Sequence, residues 1–354
     1  ATLRLSPFGM TDNGDMAGDF FLRTTDVKTG DPALDAFAGN VTADGSLLAL
    51  GKGGYALPSF TVTPLSGAYT LSGNVASSAQ EQLSGEAHFK TGDIARLLPR
   101  GEASGAVKAD VTLTGTTDAP AAHLVATLAN GAVSGVKTES LSADIVAVTG
   151  GSGALSIRYK GEPGNASLDA QLTLPTEGGA RLDAINGEVF GGKLTGLAAL
   201  DTAGLITASI NGDHINLASV GDFSGLPLNG VGDLVFTATP VKGTQSASVI
   251  FKAPRIDAGG VTFDRTELNI QLSDLFGAPV MDAGFYAAAG QFALTHLSGV
   301  NLKAKGPFDT LAFDANLLGT HEDAMPKPFT LSSQGVVRSK AATTIELQSF
   351  DLAL

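Results

Sequence analysis

The chain has 354 residues, of which 43% are hydrophobic and 16% charged, and its formal net charge is −13. This apolar content excludes a disordered chain, and scattered Lys and Arg in an acidic chain argue against a nucleic-acid partner, which needs a basic stripe. The absence of cysteine excludes disulfides, thiolate metal sites and Cys nucleophiles, and fits an oxidising compartment.

The apolar residues are mostly aliphatic, with 45 Gly, 4 Tyr and no Trp in the whole chain. No run of about 18 apolar residues is present, so the sequence predicts no membrane-spanning helix. Leu3 and Leu5 alternate with polar residues from the start, and "TTIELQSFDLAL" is strand-like up to Leu354. We therefore expect this chain to be a segment of a longer protein.

The first predicted elements are a short helix, a helical turn and a hairpin. Residues 31–39, "DPALDAFAG", have an Asp N-cap, a Pro at the first helical position and a Gly after the end. Residues 93–99 predict a single turn capped by Asp93. Residues 108–131, "KADVTLTGTTDAPAAHLVATLANG", predict two alternating strands around a turn.

Further along the chain, period-two alternation continues in strand after strand. "ALSIRYKG" and "SLDAQLTLP" lead to a short predicted helix at 216–223, capped by Asn216, and the alternation then resumes in "TELNIQL" and "SGVNLKAKG". One side of each strand is apolar and the other polar, which is typical of antiparallel sheet with one wet face. We expect the short helices to plug or cross the sheet and not to form a layer of their own.

An internal repeat relates two of these stretches. Gly105 in "RGEASGAVKADVTLTG" corresponds to Gly230 in "LNGVGDLVFTAT", a shift of 230 − 105 = 125 residues. A shorter third copy occupies residues 298–319. No linker separates the copies, so we expect one continuous β-segment of three approximate repeats: 1–92, 93–215 and 216–354.

No motif in the chain predicts catalysis or metal binding. The five histidines do not have metal-ligand spacing, "DNGDMAGD" lacks the alternation of a calcium loop, and the glycine-rich stretches do not fit a phosphate loop. A Gly-x-Ser-x-Gly elbow is absent, and a chain without Trp lacks the usual stacking platform of a glycosidase. We expect no enzyme activity, no cofactor and no metal.

Three architectures share this alternation: a two-sheet sandwich, a closed solenoid, and an open folded sheet with an apolar trough. A packed sandwich favours large interdigitating side chains, whereas a Leu, Val, Ile and Ala surface suits acyl chains, which need no directional partner. The composition therefore favours the trough.

Several phrases together resemble the repeating middle of the AsmA-like superfamily, and within it the TamB family. They are "TGDPALDAFAGNVTADGSL" (29–47), the stretch 92–131 and "INGEVFGGKLTGLAALDTAGLITASINGDHINLASVG" (185–221). The resemblance covers most of the chain and depends on recurrence in this order, because each phrase alone is degenerate.

The resemblance implies a long, twisted antiparallel sheet folded into a β-taco-like groove that crosses the periplasm, tethered to the inner membrane by parts outside this segment. It also implies phospholipid transport between the two membranes, and outer-membrane protein assembly with a TamA-like barrel that this segment itself need not touch.

On this interpretation the site is an apolar face, and its predicted lining residues are the alternating aliphatics together with one Phe. They are Val111, Leu113, Leu124, Leu128, Leu141, Ile145, Leu155, Ile157, Leu168, Leu172, Leu174, Val249, Phe251, Leu268, Ile270, Leu272, Val300 and Leu302. The alternative hypothesis is a structural or adhesive β-solenoid or sandwich with a filled core.

Overall fold

The computed structural model describes residues 2–28, 35, 37, 39–51, 53–98, 103–133, 135–162, 164–322, 327–339 and 343–354. Contacts divide the chain into two units, each described by itself below. Unit 1 comprises residues 1–162 and 167–176, and unit 2 comprises residues 163–166 and 177–354.

Unit 1 is built almost entirely of strands. They are Thr2–Leu5 (β1), Gly9–Met10 (β2), Met16–Arg23 (β3), Val41–Ala49 (β4), Gly54–Pro64 (β5), Tyr69–Ser78 (β6), Leu83–Thr91 (β7), Ala103–Gly115 (β8), Pro120–Val133 (β9), Val136–Val148 (β10), Gly151–Gly161 (β11) and most of Gly164–Leu174 (β12).

Unit 2 continues the same pattern. Its strands are Ala180–Val189 (β13), Gly192–Leu200 (β14), Ile206–Asn216 (β15), Leu228–Val241 (β16), Thr244–Ala258 (β17), Val261–Ser273 (β18), Val280–Phe292 (β19), Thr295–Pro307 (β20), Thr310–His321 (β21), Lys327–Ser339 (β22) and Thr343–Ala353 (β23).

These strands confirm the predicted all-β class. The described residues contain 23 strands in an open antiparallel sheet, and within each unit most strands pair with the strands before and after them in the chain. Antiparallel neighbours need only short turns, and the frequent Gly, Asn and Asp of this sequence supply them.

The repeat detected in the sequence has the same strand register in both copies. Ala109 on β8 pairs with Ala126 on β9, and 125 residues later Leu234 on β16 pairs with Phe251 on β17. Gly105 and Gly230 both have left-handed backbone, with φ of 113° and 129°, and each hairpin has a register shift near this glycine. The predicted hairpin at 108–131 is thus one copy of a repeated structure.

The short helices form where the capping residues predict them. Asp93 accepts a hydrogen bond from the Ala95 N–H and caps a 3-10 turn over Ile94–Arg96. Asn216 likewise caps Leu217–Ser224 (α1), an α-helix that ends at Gly225 in the left-handed conformation. The helix predicted at 31–39 lies for the most part outside the described residues.

Gln245 is the largest fully buried side chain described in unit 2, and its amide pairs with backbone. Its Oε1 accepts from the Ile206 N–H at 2.7 Å, and its Nε2 donates to the Ile206 carbonyl at 2.9 Å and to the Ser246 carbonyl at 3.0 Å. The side chain thus reaches from β17 to the first residue of β15.

We predict that Gln245→Ala destabilises the protein by about 2–4 kcal/mol, because both polar backbone groups of Ile206 lose a buried partner. Urea unfolding followed by circular dichroism measures the change. Gln271→Ala, at an exposed strand position, is the control and should change the unfolding free energy by less than about 0.5 kcal/mol. Equal effects of the two variants would contradict the role given to Gln245.

We also predict an acid-dependent contribution from Asp93. Backbone N–H groups of Gly105 and Ala95 donate to its carboxylate and hold its pKa below the ordinary value of 3.8. A depressed pKa adds stability above about pH 4, which is lost as the pH falls through the folded-state value. Asp93→Asn should therefore lose less stability than the wild type between pH 5 and 2, whereas Asp118→Asn, in the exposed β8–β9 turn, should match the wild-type profile.

Candidate functional site: the apolar sheet faces

In unit 1 the strand register aligns apolar residues across the sheet from β1 to β11. One row of paired positions runs Leu3, Leu22, Ala43, Val62, Leu71, Phe89, Ala109, Ala126, Ala143 and Ile157. Side chains alternate between the two faces of a strand, so residues in directly paired positions share one face. We call this side the apolar face of unit 1.

The predicted lining residues of β8 to β11 all lie on this face. Val111 pairs with Leu124, which pairs with Ile145, which pairs with Leu155. Leu113, Leu128, Leu141 and Ile157 occupy rows on either side.

An ion pair on the opposite face shows on which side of the sheet the predicted lining residues of β12 lie. Both guanidinium-bonded oxygens of Asp169 lie 2.9 Å from Arg158 Nη2, so Asp169 shares the face of Arg158. By alternation Leu168, Leu172 and Leu174 point to the opposite side, with Ile157.

Unit 2 has its own apolar face, again defined by paired positions. One row runs Ile185, Gly196, Ile210, Phe236, Val249, Ile270, Ala283, Ala304, Phe313, Gly335 and Leu347. The next row contains Phe251, Leu268, Phe285 and Leu302. Leu272 pairs with Ala247 and Val300 pairs with Ala287, on further rows of the same face.

Most of these side chains are only half-buried. Among the predicted lining residues, Leu128 and Val300 are buried, Leu302 is 37% exposed, and the others are intermediate. The chain exposes 20134 Å², although two separate compact domains of half its 35.7 kDa mass would expose roughly 16,000 Å² together. The chain therefore exposes more surface than two ordinary globular domains of its mass.

Phenylalanine rings on these faces lie against glycines of the neighbouring strand. The Phe251 ring occupies the space where Gly232 would carry a Cβ, and a Cβ at Gly335 would lie 2.7 Å from the Phe313 ring. In unit 1 the Phe20 ring lies 2.9 Å from the corresponding point of Gly45. Each ring thus packs on the backbone of the neighbouring strand and projects less from the sheet.

Short segments cover part of each apolar face. In unit 1, Ile94 and Leu97 of the 3-10 turn pack with Phe37 against Tyr69. The Phe37 and Tyr69 rings stack at 4.5 Å, and the Tyr69 hydroxyl donates to the Phe37 carbonyl at 2.6 Å. Burial of this phenol raises its pKa. The 3-10 turn therefore covers part of the apolar face of unit 1.

In unit 2, helix α1 and a loop have the same role. Leu217 and Val220 of α1 pack on Ala253 and Ile256. Leu275, from the loop after β18, packs on a patch of small residues. That patch consists of Ala198, Ala208, Ala238 and Ala247, which are paired in sequence across β14 to β17. Ile210, Ile270 and Ala283 belong to none of these covered clusters.

The opposite face of each unit is polar and carries exposed ion pairs. Lys108 Nζ and His88 Nδ1 each lie 2.7 Å from an Asp110 carboxylate oxygen, and their hydrogen bonds hold the pKa of Asp110 below its ordinary value. Exposed pairs of this kind add little stability. These charged side chains keep the polar face hydrated. A cleft of about 440 Å³ on unit 2 lies on this polar side, between Thr237 and Lys305.

Within the described ranges, no group of three His, Asp or Glu side chains could hold a metal ion. His88 lies on the solvated strand face beside Glu86, with Nε2 3.6 Å from the Glu86 carboxylate. No helix among the described residues is long and apolar enough to cross a membrane.

Sequence reasoning missed part of the apolar face. Ile210, Phe285 and Phe313 lie on it but were not predicted as lining residues. In "AGFYAAAG" the alternation is obscured by Ala and Gly on both faces and by Tyr286 on the polar side. The signal that identifies Phe285 is its pairing with Leu268, because Leu268 lies on β18, a strand whose apolar and polar residues alternate clearly.

Comparisons with protein families, curated proteins and solved structures found no match for this chain.

We predict that Phe313→Ala costs only about 1–2 kcal/mol of unfolding free energy, because a half-exposed ring on backbone loses modest burial and leaves no closed cavity. Tyr69→Ala, which removes a buried, stacked ring, should cost about 3–5 kcal/mol. Urea unfolding measures both. A Phe313→Ala cost as large as that of Tyr69→Ala would indicate a filled core.

Proposed function

We propose that this chain is a periplasmic bridge segment whose apolar faces hold phospholipid acyl chains and conduct them between the inner and outer membranes. The observation that carries the proposal is the half-exposed apolar face, continued from strand to strand within each unit. Large apolar surfaces left open on a soluble chain mark sites of interaction with apolar partners.

The chemistry of such a face suits an acyl chain. Burial of one methylene contributes about 0.8 kcal/mol, so a 16-carbon chain covered on one side gains on the order of 5 kcal/mol. None of this gain depends on hydrogen-bond geometry. An acyl chain is therefore held without selectivity and can slide along the face, since each displaced contact is replaced by an equivalent one.

The assignment of the two membranes and of the protein partner rests on the resemblance to the AsmA-like superfamily. On that basis the full protein is tethered to the inner membrane and supports outer-membrane protein assembly with a TamA-like barrel, through parts outside this segment. No cofactor, metal or catalytic residue takes part. The alternative function, a structural or adhesive β-protein, requires a filled interior and predicts no bound lipid.

Mass spectrometry of the protein purified from a Gram-negative host tests the proposal. We expect co-purified phospholipid with the wild type and at least about a fivefold loss with Ile270→Asp, because a carboxylate on the apolar face opposes acyl contact. The control is Gln271→Asp, the next residue on the polar face, which should retain wild-type lipid.

Circular dichroism separates the two interpretations of a loss. A folded Ile270→Asp protein without lipid supports the proposal. An unfolded Ile270→Asp protein beside a folded Gln271→Asp protein would identify Ile270 as packed core, and a wild-type protein free of phospholipid would exclude the acyl-chain function.

A further inference from the structure

An exposed tyrosine lies on the polar face of unit 2, the side opposite to the one proposed for acyl chains. Tyr286 on β19 is 52% exposed, and its paired neighbours are Glu267 on β18 and Asn301 on β20. The Tyr286 ring is therefore open to solvent among polar side chains.

A hollow adjoins this ring. Gly284 precedes Tyr286 by two residues on the same face and is paired with Asn269 and Lys303. A Cβ at Gly284 would meet no atom within 4 Å. The resulting cleft, of about 320 Å³, is lined by Glu267, Asn269, Gly284, Phe285, Tyr286 and Asn301.

The polar groups around the hollow include two open carboxamides. In the part of the chain that the structure describes, the side chains of Asn269 and Asn301 form no hydrogen bond. Glu267, by contrast, is paired with Lys252 at 3.2 Å. Each carboxamide offers both a donor and an acceptor, so the hollow has uncharged hydrogen-bonding groups on two sides and an aromatic wall.

We propose that this hollow binds a pyranose ring of a neutral glycan. A pyranose has an apolar C–H face that can stack on the Tyr286 ring, which presents a rigid contact area at low entropic cost. Its hydroxyl groups both donate and accept, and so match Asn269 and Asn301. The inference concerns the polar face and is independent of acyl-chain binding.

Other ligands match the hollow less well. An acyl chain would leave the carboxamides unpaired, at a cost in free energy. The net charge of −13 disfavours an anionic ligand. The binding chemistry therefore favours an uncharged polyhydroxylated ring, presented either by a free glycan chain or by the headgroup of a glycolipid.

Saturation-transfer NMR on the full chain, with cellotetraose and chitotetraose as probes, tests the proposal. We expect binding by the wild type and at least about a tenfold loss of affinity in Tyr286→Ala, which removes the stacking wall. Gly284→Val should lose as much, because its side chain fills the hollow without meeting another atom at Cβ. The control is Tyr55→Ala. Tyr55 is an exposed tyrosine of unit 1, with 68% of its surface accessible, and its replacement should leave the affinity unchanged.

A second arm uses vesicles that carry a neutral glycosyl diacylglycerol. Binding to the tetrasaccharides alone identifies a glycan chain, and vesicle binding that Tyr286→Ala also loses identifies headgroup recognition by the same hollow. Circular dichroism confirms that each variant is folded. No binding of either probe by the wild type, or unchanged affinity in both folded hollow variants, would overturn the proposal.

Discussion

The cross-strand register is the constraint on which the rest of this structure depends. Each strand presents alternate residues to opposite faces, so a slip of one residue would move every apolar side chain of that strand to the polar side. The rows that contain Val111 and Leu124 in unit 1, and Val249 and Ile270 in unit 2, remain in register over many strands. Both faces acquire their chemistry from this one alignment.

A sheet with an open apolar face must limit non-specific association. Here the face is partly covered by Leu97 in unit 1 and by Leu217 and Leu275 in unit 2. The opposite face carries ion pairs such as Arg158 with Asp169, and a net charge of −13 favours solubility through mutual repulsion. On the uncovered part, rings such as Phe313 over Gly335 pack on the backbone of a neighbouring strand and project less from the sheet.

Local sequence signals predicted the elements whose partners lie close in the chain. The hairpin over 108–131 follows from alternation around a turn, and the caps Asp93 and Asn216 act on the residues directly after them. The repeat was also visible, because the register of Ala109 with Ala126 recurs 125 residues later.

Contacts between residues far apart in the chain could not be predicted from local sequence signals. The Gln245 amide reaches Ile206, and the Tyr69 hydroxyl reaches Phe37; nothing local to either residue indicates its partner. Glycine was equally ambiguous. By propensity, Gly335 only weakens its strand. In the structure its missing side chain leaves space for the Phe313 ring, and this contact depends on β21 lying beside β22.

The amino-acid sequence by itself determined the all-β class, the antiparallel pairing and the division into one apolar and one polar face, because a period of two is a local property of each strand. Only the tertiary structure decided what lies above each face. Coverage by Leu97 or Leu275, exposure of Tyr286 and the hollow at Gly284 all depend on groups that separate stretches of chain bring together. Alternation specifies which side chains share a surface, but burial depends on what packs against that surface in three dimensions.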